Sequence, residues 1–175
     1  MNMVLRPAVP GDLALLRHWD SQPHVAAAAP NDDWNWEEEL YRRPDWREQL
    51  IAELDGMPIG YVEIIDPARE DDHYWGDVEG NLRAIDLWIG EAEYLGRGHG
   101  TVMMRLALER CFTNTFVSAV LVDPLYDNAR ARAFYERHGF RFMERRRFGD
   151  DDCAVYRLRR ADYLAGTSGP AGERS

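Results

Sequence analysis

The stretch that most restricts how this chain can fold lies between residues 82 and 113. Leu82–Ile89 alternates with a period of two, which puts Ile85, Leu87 and Ile89 on one face of a strand and Asp86 and Trp88 on the other. From Gly98 to about Phe112 the period changes, and Val102, Met103, Leu106, Ala107 and Cys111 mark a largely buried helix. Between them stands Leu95-Gly96-Arg97-Gly98-His99-Gly100-Thr101, and beyond the helix comes the apolar run Phe116–Val122. Strand, glycine turn, buried helix and apolar strand in this order predict a crossover within a sheet covered on both faces. Glycines in such a turn let the backbone approach an anion, with the N–H groups of the helix start pointing at it and Arg97 adding charge; they can equally serve the turn alone. Two familiar phosphate loops are excluded. The chain has no lysine for a Walker loop, and G-x-G-x-G-T is not the G-x-G-x-x-G of a dinucleotide fold.

The rest of the chain extends the same architecture. Val4–Val9 reads as a strand stopped by Pro10-Gly11, after which Asp12 can cap a helix with Leu13, Leu15, Leu16 and Trp19 on its buried side. A short helix is expected over 34–43, ended by Pro44. Gln49–Leu54 and Ile59–Ile65 form a hairpin across Asp55-Gly56-Met57-Pro58. Asn128–His138 carries Ala131, Phe134, Tyr135 and His138 on one helical face, and Phe140–Arg147 with Cys153–Arg159 reads as a closing hairpin. The expected order is βααβββαβαββ, one α/β domain of mixed sheet over residues 1–165, with a frayed tail from Gly166 to Ser175.

Charge narrows the function. Thirty-one acids against 21 bases, all of the latter arginine, give a net charge of −10 over 175 residues. A generic nucleic-acid or anionic-membrane surface is therefore not expected, and mechanisms that need a lysine are excluded. Residues 31–39 carry five acids and no base, and residues 66–80 carry six acids and one arginine, so these two stretches hold the whole net charge. Both also carry tryptophan: Trp34 and Trp36 in the first, Trp75 in the second. Acid beside aromatic suits a polycationic ligand, although two solvated loops with an aromatic anchor would read the same way. Two cysteines, Cys111 and Cys153, make neither a disulfide framework nor a zinc site; no His/Asp/Glu cluster has metal spacing; and no apolar run approaches a membrane span. The expectation is a cytoplasmic protein, bacterial by its lysine-free composition, acting as a monomer or homodimer without a metal.

A second motif gives the glycine loop its meaning. Asn128-x-x-Ala131-x-x-x-Tyr135-x-x-x-Gly139-Phe140 follows about thirty residues later. With the loop, written Leu95-x-x-Gly98-x-Gly100, it resembles the GNAT family of acetyl-CoA-dependent N-acetyltransferases, which places Gln or Arg where this chain has Leu95. Trp19-x-x-x-Pro23-His24-Val25, Gly56-x-Pro58-Ile59-Gly60-Tyr61, Trp75, Ile85-Asp86 and Asp123-Pro124 are similar to the aminoglycoside 6′-N-acetyltransferase branch, which is close to siderophore-type lysine N-acyltransferases.

The resemblance implies a site. Asp86 would take a proton from the acceptor ammonium, and Tyr135 would protonate the departing thiolate, although a tyrosine on a buried helix face also serves packing. Backbone N–H groups at Trp88 and Ile89 would meet the thioester carbonyl and the pantetheine arm of acetyl-CoA. Arg97, Gly98, His99, Gly100 and Thr101 would hold its phosphates. Asn128, near Ala131, would bond the pantetheine arm, cap the helix, or do both. The resemblance places the acceptor against Asp71, Trp75, Asp123 and Asp150, with Trp75 open to a core role and Tyr74 where relatives have a second tryptophan. A siderophore-type or other small-amine acyltransferase, and an acyl-CoA-binding module without catalysis, are the alternatives. The role of His24 stays open.

Overall fold

In a computed structural model, which describes residues 1–167, seven strands form one sheet in the order β1-β2-β3-β4-β5-β7-β6. The strands are β1 Met3–Pro7, β2 Arg47–Leu54, β3 Met57–Ile65, β4 Leu82–Ile89, β5 Ala119–Val122, β6 Arg141–Phe148 and β7 Asp151–Arg159. Six helices join them: α1 Leu13–Asp20, α2 Pro23–Ala28, α3 Trp36–Glu39, α4 His99–Thr113, α5 Ala129–Arg137 and α6 Arg160–Thr167. β4 and β5 are parallel and every other pairing is antiparallel, which gives the mixed sheet expected.

The period of two sorts the side chains into two layers. Val62 and Ile64 of β3, Ile85 of β4, Val120 and Val122 of β5 and Ala154, Tyr156 and Leu158 of β7 pack against Met103, Met104, Ala107, Leu108 and Cys111 of α4. Their neighbours in sequence face the other way. Leu82, Ala84, Leu121 and Val155 pack under Trp75, while Ile51 and Tyr61 pack with Leu16 and Trp19 of α1 and Trp36 of α3.

Several boundaries differ from expectation for local reasons. β5 begins at Ala119, not Phe116, because Asn114 accepts the Phe116 N–H at 3.0 Å and its carbonyl accepts that of Val117, which makes a turn. Phe116 is left exposed. The helix expected over 34–43 shrinks to the single turn of α3, entered from Asn35 in the left-handed region. Asp12 does not cap α1; its carboxylate turns back to the Val9 N–H and the Arg6 guanidinium, each at 2.8 Å. α2 and α6 were not expected. α6 includes Gly166 and Thr167, the first two residues of the expected tail, and residues 168–175 lie outside the described residues.

The sheet is open at one place. β4 pairs with β5 only over Leu82–Ala84 against Ala119–Leu121, then runs on to Ile89 with no strand on that side. β5 stops at Val122, and after Asp123-Pro124 the chain swings across to bridge Leu125 with Cys153. The result is a wedge between two parallel strands, with a free backbone edge along β4.

Candidate active site

Beside this wedge lies a cleft of about 600 Å³. Ten of its lining residues are Asp or Glu and two are Arg, and both acidic stretches reach it, the first through Asp32 and Asp33 and the second through Glu70, Asp71 and Asp72. Both arginines are engaged: Arg47 binds Glu39 at 2.6 Å, and Arg42 binds Glu39 at 3.0 Å and Asp71 at 2.7 Å. A solvated-loop reading of the two stretches is thereby set aside, because they converge on one concave surface.

Asp86 lines the cleft from β4 and is open to it. No hydrogen bond or ion pair among the described residues reaches its carboxylate. The surrounding walls, then the negative charges of Asp123, Glu63, Asp32 and Glu70, hold its pKa well above the ordinary aspartate range. An unpartnered carboxylate made more basic in this way is suited to take a proton from an ammonium. Asp123, at the end of β5, is raised chiefly by burial while accepting the Tyr74 hydroxyl at 2.5 Å. Glu63 stands directly across the β3–β4 ladder from Asp86; burial lifts it to about 7 against the opposing bond from the Tyr61 hydroxyl, at 2.9 Å.

Tyr135 enters the same cleft from α5, packed edge-on against Phe134 and Phe140. Burial, followed by the charges of Asp86 and Asp123, raises its pKa, so the hydroxyl keeps its proton at neutral pH. Asn128 caps α5 by accepting the Ala131 N–H at 3.0 Å, and both residues line the cleft.

Gly90 donates its N–H to the Ile59 carbonyl of β3 at 2.8 Å, and Gly60 is the partner of Ile89 in register. Amides in an antiparallel ladder alternate in direction, so the Trp88 backbone also faces β3, while the N–H groups of Leu87 and Ile89 face the wedge. Ile89 keeps its expected place on the free edge; Trp88 does not, and offers the cleft its side chain instead, beside Trp34 at 5.0 Å between ring centroids.

The glycine loop leaves its backbone open to approach from outside. Gly96 and Gly98 have φ of 70° and 83°, where a side chain would be strained, and a Cβ on either would meet no atom within 4 Å. Open space therefore lies over the loop. Gly98 ends it as the N-cap of α4, without a side-chain cap, so the first-turn N–H groups of His99, Gly100 and Thr101 are available to a ligand. Arg97 is exposed, with no partner among the described residues, whereas His99 is buried edge-on to Tyr94 and can contribute only through its backbone.

The expected acceptor contacts divide. Asp71 and Asp123 line the cleft, Asp71 at its exposed, arginine-paired rim. Trp75 also lines the cleft, but it is only 3% exposed and its ring packs edge-on against Phe148 in the core, so it does so as part of the wall. The aromatic exposed there is Tyr74, stacked on Phe148 at 4.5 Å. Asp150 sits in the turn between β6 and β7 and does not line the cleft; Asp151, the first residue of β7, does. Asp32, Trp34 and Glu70 were marked only as members of the two acidic stretches, and Glu63 and Asp151 were missed. Glu63 had a signal: it is a lone acid inside an apolar strand.

Residues 8–148 match the family model described as an acetyltransferase (GNAT) domain, and the chain belongs to this family of acetyltransferases. The aminoglycoside N(6′)-acetyltransferase type 1 of Klebsiella pneumoniae is 30% identical over 153 residues, which cover 79% of this chain and 74% of that protein. A lysine N-acyltransferase of Mycolicibacterium paratuberculosis, MbtK, is 26% identical over 88% of this chain and 72% of its own. Among solved structures, an aminoglycoside acetyltransferase AAC(6′)-Ib in complex with coenzyme A and kanamycin superposes with a TM-score of 0.84 at 26% identity, over 95% of this chain and all of that one.

Proposed function

We propose that the protein transfers the acetyl group of acetyl-CoA directly to a primary amine of a polycationic small molecule, the 6′-amine of an aminoglycoside. The observation that carries this reading is the cleft itself: ten acidic residues to two engaged arginines, with an unpartnered Asp86 among the ten, beside an open strand edge. Likeness to aminoglycoside acetyltransferases supports the acceptor class.

The chain's groups divide the chemistry between them. The glycine loop and the start of α4 hold the phosphates, and the free edge of β4 receives the arm of the donor. Asp86 removes the ammonium proton, and the freed amine attacks the thioester carbon. The N–H groups of Leu87 and Ile89 supply donors for the oxyanion, and Tyr135 gives a proton to the thiolate as the C–S bond breaks and regains one from the nitrogen as it becomes the amide. Outlying ammonium groups of the acceptor find Asp123, Asp71 and Asp151 around the cleft. Among the described residues no helix is long and apolar enough to cross a membrane, and two buried free cysteines suit a reducing cytoplasm.

Thiol release is the test, with acetyl-CoA and a long-chain acyl-CoA each offered kanamycin, spermidine and N6-hydroxylysine. Saturable turnover of kanamycin with acetyl-CoA is expected. Turnover of hydroxylysine with the long donor, kanamycin being inert, would favour the siderophore-type reading, and coenzyme binding without any turnover would favour the binding module.

A further inference from the structure

The motif Trp19-x-x-x-Pro23-His24-Val25 plays no part in the chemistry above, yet its side chains converge on one short segment. The indole Nε1–H of Trp19 donates to the Glu91 carboxylate at 3.1 Å, and His18 meets the same oxygen at 3.0 Å. Trp19 is fully buried, with its ring over Gly90; a Cβ on Gly90 would stand 2.2 Å from that ring. His24, in the first turn of α2, places its ring Nε2 2.8 Å from the Ile89 carbonyl. Three side chains from α1 and α2 thus hold Ile89-Gly90-Glu91, where β4 leaves the sheet and heads for the glycine loop.

The His24 bond has a particular geometry. The peptide unit joining Ile89 to Gly90 has its N–H on the β3 side, bonded to Ile59, and its carbonyl on the wedge side, bonded to His24. It is held at both ends, at a glycine that would otherwise leave the strand end soft. The Ile89 N–H on the preceding peptide unit stays free toward the wedge.

We infer that His24 is a positioning residue for the acyl donor: by binding the Ile89 carbonyl it fixes the free edge of β4 and leaves the amides of Leu87 and Ile89, with the Leu87 carbonyl between them, to pair with the incoming pantetheine arm. This rests on the reading that the donor arm lies along that edge. It also links the two halves of the site, because Val25, next to His24, and Ala28 at the end of α2 line the acceptor cleft.

The test compares His24→Ala with His24→Gln, whose side-chain amide reaches as far as Nε2 and can donate the same bond. Calorimetric titration with coenzyme A should show binding about tenfold weaker in H24A and within about threefold of the parent in H24Q, the size of one hydrogen bond. The KM for kanamycin at saturating acetyl-CoA should stay within about twofold of the parent in both. Coenzyme A affinity in a natively folded H24A within about twofold of the parent would overturn the inference, as would H24Q binding as weakly as H24A. A parent protein that binds coenzyme A but leaves kanamycin unacetylated would refute the acceptor assignment while the two variants still decided the role of His24.

Discussion

At the residue scale the chemistry turns on carboxylates kept basic by their neighbours. Asp86 lies among walls and charges that raise its pKa, so kcat/KM for the acceptor should climb as pH rises through that value and the base loses its proton. Asp86→Asn should lower kcat by roughly tenfold or more near neutral pH, and a rate within about twofold of the parent would remove Asp86 from the role. Glu63 carries a stability signature as well. Its pKa in the folded chain, about 7, lies above the ordinary value of 4.5, so between these the folded state holds a proton that the unfolded state has released. Stability contributed by that group is therefore present below about pH 4.5 and lost as pH rises toward 7. Glu63→Gln should flatten this slope and melt higher than the parent at pH 8; parallel melting profiles would contradict it. Asp86 was legible in the sequence because it breaks an apolar alternation within a recognised motif. Trp75 was legible as an important aromatic, but a single sequence does not reveal that a ring lining the cleft is almost wholly buried in its wall.

At the element scale, what could be read was whatever periodicity encodes. α4, α5 and β4 fall within a residue or two of expectation because each repeats its apolar residues with one period, although α5 only half-buries its face, through Phe134 and Tyr135. α2 escaped notice although Pro23 at its first position is a start signal: six residues, half of them alanine, show no face. The Trp88 amide was misassigned because direction in a ladder depends on the partner's register, which only pairing with β3 supplies. The clamp at the end of β4 also depends on pairing in space, with the W-x-x-x-P-H-V motif 65 to 72 residues from the segment it grips. Gly90→Ala would push a methyl group into the Trp19 ring and should cost about 1–3 kcal/mol, read as a lower denaturation midpoint with an unchanged slope. An unaltered midpoint would mean that the clamp is loose.

At the scale of the whole molecule, the sequence showed that its net charge resides in two stretches, and the fold turns that into a function by bringing both to one cleft. A concave acidic surface attracts a polycation over distance, and salt screens that attraction. Raising ionic strength from about 0.05 to 0.3 M should therefore raise the KM for a polycationic acceptor several-fold while changing kcat little. A KM indifferent to salt would mean that the cleft charges do not act on the acceptor. The central claim, acetyl transfer to the 6′-amine beside Asp86, is tested most directly by thiol release from acetyl-CoA with two aminoglycosides that differ only in a 6′-amino or 6′-hydroxyl group. Turnover of the amine and silence of the alcohol is the result expected. Equal turnover of both would place the reaction at another amine and contradict the assignment.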